Sequence, residues 1–198
     1  LTATTARAAE DQKALDPVPT SQAELETPRQ IAFPQMKINT QLGVSSFEYS
    51  GEGSAGAGQG LSGGVTADFG SSSRSLETGL ILLNSGAEIE LDDQRESISN
   101  QYLTIPLNVR AFFNNNQNGF FLKAGMSTAF LVNSSNDSEV RPIDLIGGLG
   151  LGGRFQLNKN WGLLVDATYN QGFLDALASD GDSYNQGFLV LTGLTFQL

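Results

Sequence analysis

Three observations predict an all-β fold, an eight-stranded antiparallel up-and-down transmembrane β-barrel. The first is long period-two alternation, clearest from Gln101 to Val132. There Leu103, Ile105, Leu107, Val109 and Ala111 share a face opposite Thr104, Asn108 and Arg110, with Pro106 among the latter. After the polar stretch NNNQNG, Phe120, Leu122, Ala124, Met126, Thr128, Phe130 and Val132 share a face opposite Lys123, Gly125 and Ser127. A repeat of two marks strands, and Asn–Gly chemistry marks the turn between them. The second observation is length: each run is about twice a globular strand of ~5–6 residues and meets the ~9–11 a tilted strand needs to cross hydrocarbon. The third is that connections alternate short and long, as in outer-membrane barrels with short periplasmic turns and longer outer loops.

Residues 1–34 stand apart. They are rich in Ala, Thr and Glu and carry Pro17, Pro19, Pro28 and Pro34. Thr5 to Leu15 has the composition of a short helix, and the prolines forbid a longer one. The segment reads as a flexible acidic periplasmic arm, either a mobile leader or a partner-binding extension. The chain opens at Leu1 without a charged-then-apolar leader, and the expectation is that a signal peptide has been removed.

From residue 35 to 198 the pattern is that of the barrel. The first strand is expected over Gln35 to Phe47, with Met36, Ile38, Thr40, Leu42 and Val44 opposite Lys37, Asn39, Gln41 and Gly43. A glycine-rich loop, 48–59, precedes a second strand over Gly60 to Phe69, with Asp68 inward. The turn GSSSRS leads to a third strand from Ser75, with Leu76, Thr78, Leu80 and Leu82 opposite Glu77 and Gly79; Ile81 and Leu83 make its upper part apolar on both faces. The acidic segment 84–100 reads as a long loop into which the strands can extend. The central hairpin and the loop 133–142 follow. The sixth strand, Ile143 to Leu157, has Leu145, Leu149, Leu151, Phe155 and Leu157 outward and Gly148, Gly150, Gly152, Arg154 and Gln156 inward. A short turn at 158–160 leads to the seventh, Trp161 to Phe173, with Asp166 inward. A loop at 174–184 leads to the eighth, Asn185 to Leu198, with Phe188, Val190, Leu194, Phe196 and Leu198 outward. An even strand number places both termini in the periplasm, and closure removes the edges that lipid does not tolerate.

Aromatics gather near the expected strand ends: Phe69, Phe112, Phe113, Phe120, Phe121 and Trp161 at one rim, Tyr49, Tyr102, Phe173 and Tyr184 at the other. Phe69, Phe113, Phe120, Trp161, Tyr102 and Phe173 are the expected interface belt, since such rings suit a boundary with one apolar and one wet side.

Composition narrows the chemistry. The sequence has no Cys and no His, which removes Ser–His–Asp and Cys–His catalysis and conventional zinc sites. No catalytic residue, metal ligand or cofactor is expected. The runs GSAGAGQG and GGLGLGG lack the P-loop Lys-Ser/Thr. SDGDSYNQG lacks the spacing and closing Glu of a calcium loop, and reads as a solvated loop. A net charge of −10 argues against nucleic acid as a partner.

One constellation remains. Lys37, Asp68, Glu77, Arg110, Lys123, Arg154 and Asp166 all fall on the inward face. The expected arrangement is an ion-pair network filling the lumen, because unpaired buried charge is costly. The functional alternatives are a narrow ion path and a docking site for an acidic leader segment. A soluble lipocalin-like barrel is the competing fold; it requires a polar outer face and an apolar interior, the reverse of this pattern.

The segments YLTIPLNVRAFF, FFLKAGMSTAFLV, DLIGGLGLGGRFQL and NKNWGLLVDATYNQGF resemble the small outer-membrane β-barrel family that includes PorT-like and OmpX-like proteins. The carrying positions are Ile105–Pro106–Leu107, Lys123–Ala124–Gly125 and the near-terminal aromatic Phe196, over roughly residues 35–198. The resemblance implies a Gram-negative outer-membrane barrel. The last residue is Leu198 rather than an aromatic, so Phe196 and Leu198 together are the expected C-terminal assembly signal. The expected role is a non-enzymatic structural or accessory subunit of an outer-membrane assembly, or a surface-binding protein, with a narrow ion or small-solute pore as the alternative. The expected surroundings are outer-membrane lipid and lipopolysaccharide, with protein partners met through the barrel wall, the outer loops or the arm.

Overall fold

The computed structural model describes residues 35–50, 54–71, 73–91, 94–115, 117–135, 141–174 and 184–198. The expected arm, residues 1–34, lies outside the described residues, as does most of the SDGDSYNQG stretch. Eight strands follow in order: β1 (Gln35–Ser50), β2 (Ser54–Ser71), β3 (Arg74–Leu91), β4 (Gln94–Phe112), β5 (Gly119–Ser134), β6 (Ile143–Gln156), β7 (Trp161–Gly172) and β8 (Tyr184–Gln197). Each pairs antiparallel with its sequence neighbours, and β1 pairs with β8 to close the barrel. Closure runs from Lys37↔Gln197 to Ser50↔Tyr184, so the first and last strands have no open edge over that length. In hydrocarbon this is decisive, because every backbone N–H and C=O there must find a partner within the protein.

The period of two becomes an inside-out burial pattern. Leu107 is 58% exposed and Leu149 68%, whereas Arg110 and Asp68 are fully buried at 0%. Leu42, Leu61, Val65, Leu122, Leu151 and Phe188 also stand on the outer wall. Water would penalise such a wall, whereas lipid solvates it, so the charges go inward and most of the large apolar side chains outward. The arrangement excludes a lipocalin-like interior.

The expected loop 48–59 is largely strand, with β2 beginning at Ser54, and the strands do extend into 84–100: β3 and β4 run for 18 and 19 residues, paired out to Leu91↔Gln94. Pairing there is made by backbone N–H and C=O groups, and 84–100 carries too many polar and charged residues to be bounded as strand from its pattern. Ile81 and Leu83 resolve inward, at 7% and 4% exposure, with Leu80 and Leu82 outward. Tyr102, expected in the aromatic belt, is only 2% exposed and points into the lumen; Tyr49, Phe112 and Phe121 are buried as well. Tyr102 occupies an even-numbered, inward position of β4, and that parity outweighs the preference of its ring for an interface.

Two local features have simple causes. Pairing of β3 with β4 passes from Thr78↔Leu107 to Ile81↔Thr104, skipping the site of Pro106, which has no N–H to give the ladder. The β4–β5 turn uses positive φ at Gln117 (54°) and Gly119 (101°) to reverse the chain.

Candidate functional site

Among the described residues, buried polar chemistry concentrates in the lumen. Moving from the turn end of the strands to the loop end, side chains fill it in layers. Phe112, Phe121 and Leu164 pack together, with the two Phe rings 5.1 Å apart. Gly152 permits this, since a Cβ there would overlap the Phe121 ring and the Val165 carbonyl.

The charged layer is centred on Arg110. Its Nη1 lies 2.7 Å from both carboxylate oxygens of Asp68, and its Nη2 donates to Glu77 and, at 3.3 Å, to Asp166. Lys123 Nζ is 2.6 Å from Asp166 Oδ1, and Arg154 Nη2 donates to Asp68. Neutral side chains complete the carboxylates: Asn39 donates to Asp68 at 2.9 Å, Asn108 to Glu77 at 2.9 Å and Thr168 to Asp166 at 2.8 Å. Each guanidinium also faces a ring, Arg110 over Phe121 at 5.1 Å and Arg154 over Phe112 at 5.2 Å. Charge-assisted bonds of this kind offset the cost of burying ions only when geometry is good and remaining valences are filled.

The structure thus joins six of the seven candidate residues in one chain of ion pairs. Lys37 is buried beside them but donates instead to the neutral Gln117 Oε1 at 3.1 Å. Gln117, 2% exposed, also donates through Nε2 to the Arg74 carbonyl at 3.2 Å. A turn residue therefore folds back to cap the lumen. Sequence reasoning missed Gln117, because an NNNQNG stretch signals a turn without showing which side chain turns inward.

Above the charges comes an apolar layer of Phe47, Ile81, Leu83, Tyr102, Ala129, Ile146, Leu189 and Leu191. A polar cap closes the loop end. Asn185 Nδ2 donates to Asp144 at 3.1 Å, Ser85 donates to Asn185 at 3.2 Å, and Asn100 donates to the Tyr49 hydroxyl. Two free spaces in the lumen measure about 20 Å³ at the turn end and about 30 Å³ beside Lys123 and Asn170, room for little more than a water each. Among the described residues no group of three or more His, Cys, Asp or Glu is placed to hold a metal ion.

On the outer wall Phe69, Phe113, Phe120, Trp161 and Phe173 are exposed, from 39% at Phe69 to 71% at Phe113. Phe196 packs on Trp161 at 5.0 Å between centroids, and the Leu198 N–H donates to the Met36 carbonyl at 3.1 Å.

A closed antiparallel barrel with an apolar outer wall and a charged, packed lumen defines a transmembrane β-barrel of the outer-membrane type. The chain belongs to the outer membrane protein beta-barrel domain family, whose model matches residues 18–196. That match begins before Gln35, so the family likeness reaches into the segment the sequence reading had set apart. Among solved structures, OprG from Pseudomonas aeruginosa is similar at a TM-score of 0.53 and 11% identity, covering 84% of this chain and 96% of that one. Neisserial surface protein A is similar at 0.51 and 11% identity, covering 82% and 97%. No protein of curated function matches the chain significantly. The protein is a bacterial outer-membrane barrel, and its outer wall meets outer-membrane lipid and lipopolysaccharide.

Proposed function

We propose that this barrel is a non-enzymatic structural or accessory subunit of an outer-membrane assembly, working through the surfaces it presents and not through its lumen. The carrying observation is the filling of the lumen by layers of described side chains in series, with spaces of about 20 Å³ beside Lys37 and about 30 Å³ beside Lys123. An eight-stranded barrel has an interior that side chains just fill. The reading places the short turns and both termini in the periplasm and the long hairpins outside. Partners then meet the outer wall, the outer hairpins or the N-terminal arm.

A surface-binding role is supported by one further feature. The β3–β4 hairpin, 18 and 19 residues long, has nearly twice the ~9–11 residues per strand that the bilayer requires. Its far end, beyond the pair Ser85↔Asn100, is the part best placed to meet an external partner.

The test joins two measurements on the full chain. In planar bilayers the purified protein should give no reproducible conductance. In a gentle-detergent pulldown from native membranes it should retain specific outer-membrane proteins. Steady charge-selective current without partners would replace this reading with the narrow pore.

A further inference from the structure

Among the described residues, charge does not balance at the turn end of the lumen. Four buried cations, Lys37, Arg110, Lys123 and Arg154, accompany three buried carboxylates, Asp68, Glu77 and Asp166. Arg110 engages all three carboxylates, Lys123 takes Asp166 and Arg154 takes Asp68. Lys37 has no carboxylate within ion-pair distance among the described residues, and its ammonium bonds only to the Gln117 amide oxygen.

A second, independent observation lies beside it. Arg154 is 3% exposed, and its Nε and Nη1 are buried without any acceptor. Arg154 and Lys37 line the same small cavity at the turn-end mouth, together with Gln117, Gln156, Thr195 and Gln197. Among the described residues those two are the only charged side chains of its lining, and they present two positive charges and no negative one. Orphaned donors on a buried cation are costly, and a neutral water supplies an acceptor but no charge.

We propose that this cavity is a binding site for one small inorganic anion of halide size. Size selects the ligand class. The space of about 20 Å³ has room for about one water, so a monatomic ion such as chloride matches its scale better than an organic anion. Charge selects its sign, because Lys and Arg are donors without acceptors. The anion bridges the ammonium of Lys37 and the unused edge of the Arg154 guanidinium, and it brings the charged half of the lumen to neutrality.

The probe is chloride itself, with the full chain folded in detergent. Bound chloride exchanging with bulk broadens the chloride NMR line. The excess width should fall to that of protein-free micelles in Lys37→Gln, a change that breaks no carboxylate pair, and should persist in Lys159→Gln at an exposed turn. In parallel, the urea midpoint should rise with chloride relative to gluconate at equal ionic strength in the native protein, since a ligand that binds only the folded state stabilises it. That difference should vanish in Lys37→Gln. Equal linewidths in native protein and Lys37→Gln, or a midpoint set by ionic strength alone, would overturn the site. Arg154→Lys, which keeps the charge but removes the planar donor edge, should weaken chloride binding; unchanged binding would show that Arg154 takes no part.

Discussion

Arg110 and Asp68 meet at 2.7 Å across the interior, from β4 and β2, with β3 lying between them along the wall. They are not ladder neighbours; Asp68 stands opposite Lys37 and Glu77 in the sheet, and Arg110 opposite Ser75 and Lys123. Only curvature of the closed wall brings them together. We therefore expect Arg110→Ala to leave three carboxylates around an empty position and to cost about 3–5 kcal/mol. Lys159→Ala, at an exposed turn, should cost at most about 1 kcal/mol. Urea midpoints of the two variants check the contrast, and coinciding midpoints would remove Arg110 from its structural role.

The outer wall gives a second prediction. Leu107 and Val165 are 58% and 39% exposed and face lipid. Leu107→Arg or Val165→Arg places a cation on that face and should oppose assembly by roughly 2–4 kcal/mol near mid-depth, less toward the rims. Heat-modifiable migration on gels, scored as the folded fraction in vesicles, reads the loss directly. Native-like insertion of both variants would contradict their lipid-facing positions.

The layered lumen makes a third. The charged layer and the apolar layer of Phe47, Tyr102 and Leu191 stand in series, so removing one leaves the other in place. The double variant Asp68→Ala with Arg110→Ala should stay silent in planar bilayers. Adding Phe47→Ala and Tyr102→Ala should also stay silent in molecules that still show heat-modifiable folding, because the Phe112–Phe121–Leu164 layer and the loop-end polar cap remain. Conductance in the first double variant would show that the charged layer alone seals the barrel.

The arm gives a fourth. Residues 1–34 carry four prolines and no period-two alternation, while the eight strands begin at Gln35. Deleting residues 1–30 should leave membrane insertion and heat-modifiability intact. Loss of co-purifying partners on deletion would assign the arm a binding role, since a segment ordered on contact meets its entropic cost there. Retention of the same partners at the same yield would make it a spacer and move the search to the wall and outer hairpins.

Glycine-rich wall segments mark the limit of reading by pattern. The stretch 54–60 offers almost no side chains to alternate, and 84–100 is rich in charge, Ser and Asn around a brief alternation at Ala87, Ile89 and Leu91. Residues 54–60, 84–91 and 94–100 form strand, because pairing there is made by backbone groups, whose hydrogen bonds leave little trace in the side-chain pattern. Tyr102 shows a different limit: its ring favours an interface, but its place in the β4 register turns it inward.

The sequence by itself determined the fold class, the eight strands and the two faces of the wall, because a repeat of two is a local property written residue by residue. It also determined which charges point inward, since parity alone separates Arg110 from Val109. Only the tertiary structure decided which of those charges meet. Arg110 gathers Asp68, Glu77 and Asp166, while Lys37 is left to Gln117, a turn residue 80 positions away. Partners across a lumen depend on strand tilt, stagger and closure, which are properties of the whole barrel and of no single strand.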